Sequence, residues 1–210
     1  MKKEKMSRRK EQGAETKRKL YENAEKLFNE YGIDEVSIDT IVEATGVSKG
    51  TFYVHFESKD ALLSSLITDY VDKVDMDYEA FLKSIPAKTS ASDILIMLTG
   101  KIFDVIEHTI GYKNIRTLYR VQIGDFAQTR IVTSYSRSLY QMLRSLLEDG
   151  MRRGEFKTLL PVDELARHLI VAMRGLTYEW CMRYPDYNLK EQALAHFQLL
   201  LAGIEANAAR

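Results

Sequence analysis

TGVSKGTFYVHFESKDAL, Thr45 to Leu62, is the most specific stretch of this 210-residue chain. Gly46, Val47 and Ser48 make a three-residue turn of the kind that joins two short helices in a helix-turn-helix. Ser48 is placed to cap the second helix. Phe52 and Phe56, four apart, share one of its faces. If those rings anchor the helix, Lys49, Gly50, Tyr53 and Val54 turn outward. The exposed set suits DNA. An ammonium donates to guanine O6/N7 or to phosphate. A tyrosine offers its hydroxyl to phosphate or its ring to a thymine methyl. Glycine removes a side chain where backbone must approach closely. Lys59, next to the Ser58 cap of the following helix, can hold a phosphate beside the groove.

The pattern on either side is helical. Leu20, Ala24, Leu27, Phe28 and Tyr31 fall at i, i+4, i+7, i+8 and i+11, one stripe of a first helix. Gly32 stops it. Ser37 caps a second helix whose Ile38, Ile41 and Val42 face inward. From Ser58 a long fourth helix keeps the 3.6-residue period through Leu63, Leu66, Ile67, Tyr70, Val74, Tyr78, Phe81, Leu82 and Ile85, up to Pro86. Further helices are expected at about 90–109, 113–126, 130–153, 162–184 and 189–207. Pro86, Pro161 and Pro185 all sit at element boundaries. The reading is all-α, with nine helices in two domains. A basic disordered arm covers 1–14, a helix-turn-helix domain 15–62, and a larger body 63–210.

Composition excludes several classes. Cys181 is the one cysteine, so there is no intrachain disulfide and no cysteine-based zinc site. No apolar run reaches the roughly 18 residues of a membrane span, and no apolar h-region follows the basic start. A cytoplasmic protein is expected. The net charge of zero conceals a division. Residues 1–19 carry nine Lys/Arg against three Glu, and residues 20–60 carry three Lys against nine Asp/Glu. The basic start is either a nucleic-acid arm or a solvated tail. Glu22, Glu25 and Glu30 avoid the apolar stripe of the first helix, so their charge can point away from a duplex.

SIDTIVEATGVSKGTFYVHFESKDALL, Ser37 to Leu63, closely resembles the N-terminal domain of the TetR family of bacterial transcriptional regulators. The family pattern runs from a Ser/Thr cap through A-x-G-V-S and G-[TS]-[LF]-Y-x-[HY]-F to x-x-K-x-x-L. Ala24, Leu27, Phe28 and Gly32 match it as well. The resemblance implies a two-domain homodimer that binds a palindromic double-stranded DNA operator through the third helix. It implies a repressor, released by an unknown small-molecule effector in the C-terminal domain. By position, Lys49, Gly50, Thr51, Tyr53 and His55 face the operator, Ser37 contacts phosphate at the start of the second helix, and Lys59 does so at the fourth. Asp39 departs from the pattern, because a carboxylate beside phosphate repels, and no contact is assigned to it.

The body is less specific. Phe103, Ile106, Tyr119, Gln122, Phe126, Tyr135, Leu139, Met142, Met173, Thr177 and Trp180 supply apolar and hydroxyl groups that either line a ligand pocket between helices or form plain core. Arg116, Arg120 and Arg174 would favour an anionic effector if they point inward, because a buried guanidinium needs an anion. Leu165, Leu169, Ile170, Met173, Leu176 and Trp180, then Leu194, Phe197, Leu200, Leu201 and Ile204, form stripes in the last two helices. One face can cover the body, and the surplus suggests a two-fold four-helix dimer interface as in the family, the alternative being a bundle formed wholly within one chain. The alternative is a helix-turn-helix protein whose body binds a protein partner. An enzyme is not expected. No metal spacing, nucleophile elbow or phosphate loop is present, and neither cofactor nor metal is implied.

Overall fold

A computed structural model of the chain describes residues 2–124, 130–186 and 188–205, with side chains over 11–120, 122–123, 132–186 and 188–205. The described residues are helical almost throughout. The helices are α1 (Lys2–Tyr31), α2 (Ile38–Thr45), α3 (Lys49–His55), α4 (Lys59–Ser84), α5 (Ala91–Asp104), α6 (Gly111–Gly124), a single turn α7 (Arg130–Thr133), α8 (Ser138–Arg152), α9 (Val162–Arg183) and α10 (Leu189–Ala202). A π-helical turn, Val105–Ile110, joins α5 to α6. The chain divides into two compact units. One is Met1–Tyr70 with Arg120–Thr129, the other Val71–Tyr119 with Arg130–Arg210, so the division falls inside α4.

Three expectations are corrected. The start of the chain, read as a disordered arm over 1–14, is helical backbone from Lys2 and continuous with α1. It is rich in Lys, Arg, Glu, Gln and Met, all good helix formers, and has no proline. Next, the helix expected over 130–153 is broken. Ser134 Oγ accepts from Ser136 N–H at 3.1 Å, a local turn that competes with helix. The buried Asp75 carboxylate accepts from Leu139 N–H at 3.3 Å and starts α8 afresh. Counting the single turn α7, ten α-helical segments are described against the nine expected. Lastly, Tyr31 does not join the α1 stripe and is exposed.

In the first unit Leu20, Ala24, Phe28, Ile41, Phe52, Phe56, Leu62 and Leu63 share one core. α1 ends as Gly32 N–H donates to Phe28 C=O at 2.9 Å. Gly46 closes α2 at φ 72°, a conformation glycine adopts without a Cβ penalty.

The second unit packs Leu95, Leu98, Ile102 and Phe103 of α5 with Leu143 and Leu147 of α8, Leu169 of α9 and Phe197 of α10. Gly150 shows how tight this packing is. A Cβ there would lie 2.4 Å from the Phe156 ring, so position 150 admits no side chain unless that ring moves. Asp75 is clasped by Arg137, whose Nε lies 3.0 Å and Nη2 2.7 Å from its oxygens.

Candidate nucleic-acid interface

The short helix α3 is fixed on one side. Phe52 is fully buried and Phe56 nearly so, with their rings 5.8 Å apart. Ser48 Oγ accepts from Thr51 N–H at 3.1 Å, capping the helix start. The other side then projects into solvent. Lys49, Gly50, Tyr53 and Val54 are all exposed, Tyr53 by 50% and Val54 by 78%. A valine that exposed on a helix is apolar surface of the kind that meets a thymine methyl. Val54 is expected to turn outward from the spacing of Phe52 and Phe56 alone.

Gly50 is informative by what surrounds it. A Cβ there would meet only Ser48 Oγ, at an ordinary 3.7 Å. The fold therefore does not require glycine at this position.

The remaining expected contacts are more constrained. Thr51 is half-buried, and its hydroxyl lies 2.9 Å from Ser48 Oγ, inside the cap. His55 is half-buried at the end of α3. Ser37 Oγ accepts from Thr40 N–H at 3.1 Å and lies 2.9 Å from Thr40 Oγ1. Thr40, exposed beside it, was not among the expected contacts. Lys59 Nζ donates to Ile33 C=O at 3.0 Å and to Val36 C=O at 2.9 Å. Two of its three N–H groups thus hold the turn between α1 and α2.

Lys49 meets Asp39, with Nζ 2.9 Å from Oδ1 and 3.0 Å from Oδ2. The pair sets the start of α2 beside the start of α3. The carboxylate holds the ammonium above its ordinary pKa range, through a hydrogen bond and charge attraction.

The residues singled out in the body sit differently. Phe103, Leu139, Met173 and Trp180 belong to the buried cluster, with Ile106, Tyr119 and Met142 packed against it. Thr177 is buried and its hydroxyl donates to Met173 C=O at 2.8 Å. Tyr135 is 42% exposed. Gln122 is half-buried and falls in the first unit, and Phe126 lies outside the described residues. A cleft of about 130 Å³ is lined by Val71, Asp72, Asp75, Ser134, Ser136, Arg137 and Ser138, none of them the aromatic or apolar residues expected.

The three arginines separate. Arg116 is exposed over the Tyr112 ring, and Arg120 pairs with Asp34. Arg174 is half-buried and Nη2 donates to Thr133 C=O at 3.1 Å, a neutral acceptor. Burial pulls its guanidinium below the ordinary value, with Tyr135 and Tyr119 opposing. The Tyr119 hydroxyl donates to Arg174 C=O at 2.9 Å, and burial pushes its pKa up to about 12.

The profile described as "Bacterial regulatory proteins, tetR family" matches residues 20–66. A second, "YsiA-like protein, C-terminal region", matches 70–203, more than half of the chain. The chain belongs to the tetR family. It is therefore a DNA-binding transcriptional regulator and not an enzyme, of a family whose members bind operators as dimers and respond to small ligands.

Its relatives agree with this placement. HTH-type transcriptional regulator AcrR of Shigella flexneri is 25% identical over 205 residues, covering 91% of this chain and 90% of its own. HTH-type transcriptional repressor KstR2 of Mycolicibacterium smegmatis is 25% identical over 193 residues, 92% of each. Among solved structures, FadR of Bacillus subtilis in complex with stearoyl-CoA shares the fold, with TM-score 0.68 and 20% identity over 89% of this chain and 98% of that one. Among the described residues no helix is long and apolar enough to cross a membrane.

Proposed function

We propose that this tetR-family regulator is a cytoplasmic repressor that binds a palindromic operator as a homodimer and leaves it when a small anionic effector binds the helical body. The observation that carries the DNA reading is α3 itself, anchored through Phe52 and Phe56 with Lys49, Gly50, Tyr53 and Val54 exposed opposite. Lys49, Gly50, Thr51, Tyr53 and His55 face the operator in this reading. Ser37, with the remaining N–H of Lys59, takes flanking phosphates.

The dimer reading rests on apolar surface left over by the second unit. Val171, Tyr178 and Met182 of α9 are exposed at i, i+7 and i+11, as are Leu199 and Leu200 of α10. A two-fold axis covers such a face with its own copy. The effector reading rests on Arg174, half-buried against a neutral carbonyl; burying a guanidinium is unfavourable until an anion joins it. A relative is named a repressor, and a structure of the same fold holds stearoyl-CoA. An anionic acyl compound is the effector class we propose.

Selection of bound duplexes from a random pool tests the DNA reading. Enrichment of a palindrome with half-sites about one helical turn apart, roughly 34–36 Å, is expected. Recovery of unenriched sequence by folded protein would overturn it. The packing of Phe103, Leu139, Met173 and Trp180 into core favours a second reading, in which the body docks a protein partner. A melting shift and operator release on adding long-chain acyl-CoA support the effector. Their absence across acyl-CoAs and free fatty acids supports the partner.

A further inference from the structure

Asp39 stands on the face where a phosphate would approach, and the fold gives little reason for it. The side chain that caps α2 is Ser37. The Asp39 carboxylate is 71% exposed, and so is half of the Lys49 side chain that it pairs with. A pair that open to solvent adds little to stability. A first-turn aspartate adds a similar amount through the helix dipole. Yet the pair is bidentate and joins α2 to the opening residue of α3.

The pair has a consequence for binding any duplex. Non-specific affinity comes from cations that replace condensed counterions along the phosphates. With Asp39 beside it, Lys49 adds no net charge to the face. An ammonium has three N–H donors, and those not directed at Asp39 keep their reach toward a base edge. We infer that Asp39 is a specificity-determining residue: it cancels the attraction of Lys49 for phosphate while aiming its remaining donors at the acceptors of a guanine edge. This rests on the proposed reading of α3 as the operator-facing helix. Without Asp39, Lys49 swings to whichever phosphate is nearest, and non-operator DNA gains more than operator.

The test measures operator and non-operator affinity of the full-length protein against salt. Asp39→Asn should steepen the non-operator log–log slope by about 0.9, the value of one added phosphate contact, which is roughly eightfold in affinity at 0.1 M relative to 1 M salt. Operator affinity should rise less than threefold, so the specificity ratio falls. Asp39→Ser should do the same, which separates loss of charge from a poor fit of one substitute. The double variant Asp39→Asn/Lys49→Gln has the same net charge as the wild type. It should return to the wild-type slope while losing operator preference. An unchanged slope in Asp39→Asn, or an unchanged specificity ratio, overturns the inference. A wild-type protein that selects no sequence overturns the reading of α3 instead.

Discussion

Replacing Lys59 by methionine tests whether this lysine is a phosphate ligand, a strut, or both. Methionine keeps most of the apolar stem and deletes the ammonium. Two charge-assisted hydrogen bonds disappear, to Ile33 C=O and Val36 C=O at 3.0 and 2.9 Å. Hydrogen bonds to charged groups contribute about 1.5–3 kcal/mol each. Lys59 is half-buried, so water recovers part of that, and a net loss of about 2 kcal/mol is expected. For a chain of this size each kcal/mol lowers Tm by roughly 2–4 °C, giving a fall of about 4–8 °C. Thermal melts of the full chain at fixed protein concentration read this directly. The same variant should lose about 0.9 from the salt slope on any duplex if the remaining N–H holds a phosphate. A Tm within 1 °C of wild type would refute the strut. A loss confined to one base position would refute the phosphate role.

Further outcomes follow from the same geometry. Tyr53→Ala should weaken operator binding about tenfold or more and leave the dimer intact, read by titration and sedimentation; equal affinity at fixed salt would remove Tyr53 from the interface. Asp75→Ala should cost about 3–5 kcal/mol in urea denaturation, because Arg137 loses a buried partner and Leu139 N–H its acceptor; a loss below 1 kcal/mol would contradict that. Met182→Asp should shift the protein from dimer to monomer in sedimentation, since Met182 is 66% exposed on the unpartnered face; an unshifted dimer would place the interface elsewhere. Deleting residues 2–10 should lower the non-operator salt slope by at least about 2, as six Lys/Arg and one Glu leave with them; an unchanged slope would make that stretch a bystander.

The helix-turn-helix was legible because its signals are local. Ser37, Gly46 and Ser48 each mark a helix end through their own backbone, and each caps or closes a helix in the structure. Phe52 and Phe56 need only a four-residue spacing to share a face. The body was less legible because its boundaries depend on distant residues. Nothing near Ser134 announces that Asp75, some sixty positions earlier, will start α8 there. The stripes chosen for the dimer were mostly core for the same reason. Leu165, Leu169, Ile170, Met173, Trp180, Phe197 and Leu201 are all buried within their own unit. The exposed apolar face is the one offset from them, at Val171, Tyr178, Met182 and Leu199. Periodicity finds an apolar stripe but cannot say which of two faces the same chain will cover.

Charge shows the same limit at closer range. Summed over the chain it is zero, while the helix-turn-helix carries more acids than bases, and several of its few cations are held by their own chain. Arg18 lies between Glu15 and Glu22 at 2.7 and 2.8 Å. Lys49 lies against Asp39, and Lys59 against two carbonyls. These cations are held by their own chain before DNA arrives, so they can add direction to a contact without adding much to its strength. In the proposed reading the general pull toward phosphate comes from the basic start of the chain. Recognition in that reading falls to α3, where a small set of donors and an exposed Tyr53 and Val54 would meet the groove. A regulator built this way should bind arbitrary duplex weakly for its number of lysines, and its discrimination should vary less with salt than its affinity does.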